Sequence, residues 1–159
     1  MATGQCHHVG VLVSDIERSA RFYIEALDAH WLFKPAVNRG PGAQAVFGGD
    51  DQTAFAFCYL GFDSGAVELI QFLSSPPEFA RDPQRAPLPH FGLVVDDVAK
   101  STERVEAAGG SRVWKEPVSW GGATVMYVAD PDGNAIELFD VPLEGIVERT
   151  ITMFPESAP

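Results

Sequence analysis

The stretch HVGVLVSD, residues His8 to Asp15, recurs 82 positions later as HFGLVVDD, residues His90 to Asp97. Of the twelve columns that begin at these two histidines, five are identical without a gap. Each copy has the Val-rich alternation of a half-buried strand, and each ends in an acidic residue suited to cap a helix. The sequence therefore predicts a duplicated module whose halves both open with a histidine on a strand.

A helix is predicted after each of these strands. Residues 16–27 (IERSARFYIEAL) carry apolar side chains at helical spacing, with Glu17 in the first turn, where it favours the helix dipole. Residues 98–110 (VAKSTERVEAAGG) form the second helix, which two glycines stop. The strand–helix order is thus the same in both halves.

Further strands are predicted to complete each half. Residues 53–60 and 66–73 are rich in β-branched and aromatic side chains around the turn sequence GFDSG, and in the second half ATVMYVAD and AIELFDV flank the turn PDGN. Residues 112–114 are compatible with a short strand. Residues 35–49 hold enough Gly and Pro to be mostly loop.

These elements predict two modules, residues 1–75 and 90–141, that together form one domain. The proline-rich residues 76–89 would link them, and residues 142–159 would form a C-terminal tail without assigned structure. The strand endings AVEL and AIEL align at an offset of 69, so the second copy is shorter by 82 minus 69, or 13 residues. Loops tolerate such length changes at low cost.

Composition excludes several classes of protein. The 159 residues are 46% hydrophobic and 21% charged, as in a globular protein, and the net charge of −11 argues against a nucleic acid or an anionic membrane as partner. No apolar run approaches the roughly 20 residues of a membrane span, and the first ten residues lack a signal-peptide pattern, so a cytoplasmic location is expected. Cys6 and Cys58 are expected to be small buried thiols.

Four residues could carry chemistry. His8 and His90 open the repeated strands, and Glu68 and Glu137 stand in the middle of apolar strands, where a carboxylate is costly to bury unless it is paired or bound to a cation. A single histidine or glutamate in such a place is usually structural, but here both types recur at equivalent positions. Two imidazoles and two carboxylates suit a borderline or hard divalent metal. His7 points to the opposite face of the strand and is left out.

The surroundings of these residues are less informative. Gly10 and Gly92, two positions after the histidines, are expected to leave space beside each imidazole. Arg39 and Lys115 could contact an anion, although a solvated role is the usual one. Five aromatic residues are expected to be mostly core and in part to line an apolar pocket: Phe47, Phe55, Phe57, Trp120 and Tyr127.

The segments HVGVLVSDIERSARFY, AVELIQF, HFGLVVDDV and DPDGNAIEL together resemble the vicinal oxygen chelate superfamily, over roughly residues 7 to 140. That superfamily includes glyoxalase I, methylmalonyl-CoA epimerase, extradiol dioxygenases, and fosfomycin and bleomycin resistance proteins. The resemblance implies an α+β fold of two tandem βαβββ modules that form a curled mixed sheet around a metal cleft. Matched residue by residue, the metal ligands would be His8, Glu68, His90 and Glu137.

A complete set of two histidines and two glutamates resembles glyoxalase I and its isomerase and epimerase relatives most. The resemblance then implies a lyase, isomerase or epimerase that uses a divalent ion (Zn, Ni, Co, Mn or Fe), removes a proton next to a carbonyl and stabilises an enediolate or enolate on the metal. Glu137 and Glu68 are the candidate catalytic bases. The substrate would be a small molecule, either apolar or a thioester or thiol adduct, and the protein a homodimer.

Two alternatives stay open. Drug-resistance proteins of the same fold bind an apolar molecule without a metal, and extradiol dioxygenases hold iron with two histidines and one glutamate, which would make Glu68 a non-ligand. The linker would let the two modules pair within one chain or be exchanged between two chains.

Overall fold

A computed structural model of the chain describes residues 8–47, 49–75, 90–120 and 122–153. The chain divides into two compact units, Met1–Pro87 and Leu88–Pro159. Cys6, His7 and the linker expected at residues 76–89 lie outside the described residues. Each unit is built around its own mixed sheet.

The first unit contains two helices and a four-stranded sheet. Its strands lie in the order β1-β4-β3-β2, with β1 parallel to β4 and the other pairs antiparallel. The buried side of α1 contributes Phe22 and Tyr23 to the core, beside Leu60 and Leu69 from the sheet. The elements in chain order are β1 (Val9–Leu12), α1 (Ile16–Leu27), β2 (His30–Arg39), α2 (Pro41–Phe47), β3 (Ala54–Phe62) and β4 (Gly65–Phe72).

The second unit repeats this plan. Its strands lie in the order β5-β9-β8-β6, with β5 parallel to β9, and β7 also pairs with β8. Val105 of the helix α3 and Met126, Ile136 and Leu138 of the sheet are fully buried. The elements are β5 (His90–Val94), α3 (Val98–Ala107), β6 (Ser111–Arg112), β7 (Val118–Trp120), β8 (Ala123–Ala129), β9 (Ala135–Phe139) and α4 (Leu143–Met153).

The predicted α+β fold with two βαβββ modules is confirmed. The repeat is most exact where the first helix of each unit begins. The Asp15 side chain accepts a hydrogen bond from the backbone N–H of Arg18 at 3.0 Å, and 82 residues later Asp97 accepts one from Lys100 at 3.0 Å. Both aspartates are extended N-caps, so the same local chemistry starts both helices.

The prediction that residues 35–49 are mostly loop is wrong. Strand β2 continues to Arg39, and α2 begins at Pro41. Pro35 is compatible with β2 because this strand lies at the sheet edge and its register with β3 shifts between Phe33 and Ala36. Pro41 occupies the first position of its helix, where the missing N–H has no intrahelical partner to lose.

Residues 142–159 were expected to carry no assigned structure, yet α4 occupies Leu143–Met153. Apolar residues at positions 143, 146, 147 and 151 have helical spacing, so the sequence does contain a signal for this helix. None of the described helices has the length and apolar character needed to cross a membrane.

Candidate functional site

The first unit brings His8 and Glu68 together. Strand β4 lies parallel to β1 with Glu68 opposite Gly10, and His8 immediately precedes β1. This register places Nε2 of His8 at 3.2 Å from Oε2 of Glu68. The two side chains keep 31% and 17% of their surface exposed, so a ligand can reach both.

The second unit repeats the arrangement with His90 and Glu137. Strand β9 lies parallel to β5 with Glu137 opposite Gly92. Nε2 of His90 lies 3.2 Å from Oε2 of Glu137, and the side chains are 35% and 17% exposed. Each unit therefore places one of the candidate histidines against one of the candidate glutamates, in the same register and at the same distance.

Each pair is completed by a tyrosine from the neighbouring antiparallel strand. Tyr59 lies opposite Glu68, donates its hydroxyl to Oε1 of Glu68 at 2.9 Å, and packs against the His8 ring with 5.4 Å between ring centroids. We call His8, Glu68 and Tyr59 the first half-site.

The second half-site consists of His90, Glu137 and Tyr127. Tyr127 lies opposite Glu137 on the ladder, its hydroxyl lies 3.0 Å from Nε2 of His90, and the two ring centroids are 4.9 Å apart. Asp130 fixes the turn between the strands of this half-site by accepting hydrogen bonds from the backbone N–H groups of Asp132 and Asn134. This is the turn that the sequence PDGN predicts.

Both tyrosines remain protonated at neutral pH. Burial, followed by the hydrogen bond to Glu68, raises the pKa of Tyr59. Burial, followed by the hydrogen bond to Glu137, raises the pKa of Tyr127 to about 12. Each phenol can therefore act as a hydrogen-bond donor that orients the adjacent carboxylate.

The two glycines do not provide the clearance that the sequence suggested. A Cβ placed on Gly10 would lie 3.6 Å from Cδ1 of Ile70, and one on Gly92 would lie 3.4 Å from the Phe139 ring. The atoms that limit these positions thus belong to apolar neighbours rather than to the imidazoles.

The spacing within each half-site fits two ligands of one metal ion. Donor atoms about 2.1 Å from a common ion, at angles between 90° and 110°, lie about 3.0–3.4 Å apart, which includes the observed 3.2 Å. Over the described residues, no group of three or more His, Cys, Asp or Glu side chains gathers as a metal site. Each unit therefore offers two protein ligands, His8 with Glu68 and His90 with Glu137.

The predicted cationic candidates lie on exposed surface. Arg39 is at the end of β2 opposite Ala54, five positions along β3 from Tyr59. Lys115 is exposed between β6 and β7. Their positions in the described part of the chain give neither residue a role in a half-site.

The second unit also contains an apolar cavity of about 410 Å³, which we call the β8–α4 cavity. Trp120 is 48% exposed and lines it, whereas Phe55 is buried, which fits the expectation that most of the five aromatic residues are core and some line a pocket. The first unit has a cavity of about 350 Å³ that includes Tyr59 but not Glu68 in its lining. The β8–α4 cavity is lined by Trp114, Val118, Trp120, Val125, Tyr127, Glu137, Phe139 and Ile146.

Sequence reasoning missed Tyr59 and the hydrogen-bonding role of Tyr127. The hairpin register pairs a tyrosine with the mid-strand glutamate in both halves, but this register depends on turn lengths that only the folded hairpins show.

A family profile described as the Glyoxalase/Bleomycin resistance protein/Dioxygenase superfamily matches residues 5–138. A probable chloroplastic lactoylglutathione lyase of Arabidopsis thaliana is 31% identical over 84% of this chain and 35% of its own length. A probable lactoylglutathione lyase of Vibrio parahaemolyticus is 27% identical over 87% of this chain and 91% of its own length. The chain thus spans about a third of the plant relative and nearly all of the bacterial one.

Solved structures show the same fold. A glyoxalase family protein from Bacillus cereus superimposes with a TM-score of 0.69 at 19% identity, over 87% of this chain and 97% of its own. Glyoxalase I from Zea mays gives a TM-score of 0.60 at 23% identity, over 86% of this chain and 44% of its own.

Proposed function

Because this chain belongs to the Glyoxalase/Bleomycin resistance protein/Dioxygenase superfamily, we propose that it is a divalent-metal-dependent lyase or isomerase that removes a proton next to a carbonyl group. His8, Glu68, His90 and Glu137 are the proposed metal ligands. The observation that carries this function is the recurrence of the His–Glu pair, in one register and at 3.2 Å, in both units.

A bound divalent ion would supply Lewis acidity, which stabilises negative charge on a substrate carbonyl oxygen. The chain itself would supply the base. The C–H bond next to the carbonyl breaks, its proton moves to a carboxylate oxygen of Glu137, and its electron pair is shared with the carbonyl. Return of the proton to the same carbon from the other face, or to the adjacent carbon, gives an epimer or an isomer.

Glu137 is favoured over Glu68 as the base because of its surroundings. Glu137 lines the β8–α4 cavity, where an organic molecule can lie against it. Glu68 does not line the cavity of its own unit. In this function Glu68 acts as a ligand, and the tyrosine of each half-site holds its carboxylate in one orientation.

The relatives named lactoylglutathione lyase support the lyase branch and a thiol adduct as one substrate class. These relatives are 26–31% identical to this chain. We therefore propose the substrate as a small carbonyl compound, with glutathione adducts and CoA thioesters included among the candidates.

Proton exchange tests this function without knowledge of the product. The metal-loaded protein is incubated in D2O with glutathione adducts, CoA thioesters and uncharged aromatic α-hydroxy ketones, and deuterium is located by NMR. Wild-type protein should label the carbon next to the carbonyl in at least one class. Glu137→Gln should reduce the rate by at least about 100-fold, whereas Glu103→Gln, an exposed change on α3, should not.

Exchange in none of the compounds, or equal exchange by wild type and Glu137→Gln, would contradict the proposed chemistry.

A metal-free binding protein is the second candidate, and one observation favours it. Each His–Glu pair is at ion-pair distance and can satisfy its polar atoms without a metal, next to an apolar cavity. In an extradiol dioxygenase Glu68 would not be a metal ligand. The contact between Glu68 and the candidate ligand His8 argues against this function. Metal content of the purified protein separates the enzyme from the binding protein.

A further inference from the structure

The β8–α4 cavity adjoins the second half-site, because Tyr127 and Glu137 belong to both. We propose that this cavity binds an uncharged aromatic group of the substrate and that Ile146 limits the size of the group. The assignment rests on the proposed function, since it places the aromatic group beside Glu137, the base.

The walls suit a flat apolar group. Trp114 packs on Tyr127 with ring centroids 4.6 Å apart and planes inclined by 47°, so that two large ring systems form one side. Trp120 is 48% exposed and Val118 is 45% exposed, which leaves apolar surface that a ligand would cover. Aromatic ligands gain from such offset and edge contacts.

The charge of the cavity selects against anions. Glu137 is the only charged residue among the described residues that line it. Among the described residues that line it, no Lys or Arg accompanies Glu137, so the walls themselves offer no cation to a carboxylate or phosphate group. The volume of about 410 Å³ lies within the range of small-molecule sites, about 300–1,000 Å³.

Helix α4 supplies Ile146 to the cavity, and it follows the segment that the family profile matches, which ends at residue 138. The rest of the lining comes from β7, β8, β9 and the segment that precedes β7. The part of the cavity wall that α4 forms therefore lies outside the region that the family profile matches. A larger side chain at position 146 should fill the cavity without touching His90 or the strand that carries it.

Neighbouring positions on α4 offer a matched test. Ile146 lines the cavity, whereas Val147 is 46% exposed and is not part of the lining. The probe is N-phenyl-1-naphthylamine, an uncharged aromatic dye whose fluorescence rises in apolar surroundings. Wild type should bind one dye per chain saturably. Ile146→Trp should weaken binding at least tenfold, and Val147→Trp should leave it unchanged.

Ile146→Phe is the smaller change to use if Ile146→Trp fails to fold. Thermal unfolding followed by circular dichroism shows whether each variant is folded. His8→Ala should keep dye binding although it alters the other half-site. A wild type that binds the dye but holds no divalent ion would overturn the metal-dependent function and leave the cavity intact.

Absence of saturable dye binding to wild type, or an equal loss in both tryptophan variants, would overturn the aromatic site. If sedimentation shows that Ile146→Trp dissociates a dimer while wild type binds no dye, a second copy covers the cavity and the inference fails.

Discussion

At the scale of single residues, the sequence located the histidines and glutamates but not the tyrosines. His8 and His90 share an offset of 82 and Glu68 and Glu137 an offset of 69, so both pairs appear when the repeats are aligned. The tyrosines fit neither alignment because they are 68 positions apart. Tyr59 stands nine positions before its glutamate, whereas Tyr127 stands ten positions before its own. Turn length, which only the folded hairpins show, determines which residue faces the carboxylate.

Removing the Tyr59 hydroxyl should weaken metal binding. Tyr59→Phe deletes the 2.9 Å hydrogen bond to Oε1 of Glu68, so that this carboxylate is held less firmly. Loss of a partner that orients a metal ligand typically costs about 10–100-fold in affinity. The dissociation constant, measured by competition with a chromophoric chelator, should rise by at least about tenfold. Tyr127→Phe should act in the same direction, and unchanged affinity in both variants would refute the orienting role.

The Cys58 thiol should be unreactive in the folded protein. It is fully buried, and burial raises its pKa to about 12. At pH 8 about one thiol in 10⁴ is then the reactive thiolate, whereas an unfolded cysteine is far more ionised. In a Cys6→Ser background, labelling by a disulfide reagent should be at least about a hundredfold slower in native than in denatured protein. Equal rates would show that the thiol is accessible.

At the scale of elements, local chemistry decided what the sequence could predict. Helices α1 and α3 were predictable because each has an aspartate cap and an apolar stripe. Strand β2 was not, because Pro35 in a run with Gly and Pro indicates a loop unless the strand is known to lie at a sheet edge. Edge position is a property of the sheet and cannot be derived from the strand alone.

The cap at Asp97 should make stability depend on pH. The backbone N–H of Lys100 lowers the pKa of this carboxyl below its ordinary value of 3.8. A lowered pKa means that the charged form stabilises the folded state above about pH 4, and that this contribution is lost as the pH falls through the folded-state value. Asp97→Asn keeps a capping oxygen without the charge.

The difference in unfolding free energy between wild type and Asp97→Asn should therefore be largest near pH 7 and shrink below pH 4. Urea titrations at several pH values measure it. A difference that does not change with pH would contradict the charged cap.

At the scale of the whole molecule, the duplication made the fold and the candidate site residues predictable from the sequence. Two weak observations, a histidine that opens a strand and a mid-strand glutamate, become a specific prediction of a metal site when both recur. In each unit the structure places the histidine 3.2 Å from the glutamate. The β8–α4 cavity was not predicted, because it depends on α4, which has no counterpart among the described residues of the first unit. The repeat predicts the elements that both halves share and gives no information about the elements in which they differ.

Metal content tests the central claim most directly. Wild type, His8→Ala, His90→Ala and the double variant are dialysed against Zn, Ni, Co, Mn or Fe, and bound metal is measured by plasma mass spectrometry. His30→Ala, which removes an exposed imidazole from β2, is the control. Wild type and control should hold one divalent ion per chain, each single variant should lose most of it, and the double variant should hold none. Equal metal in the double variant and in wild type would contradict the His–Glu ligand set.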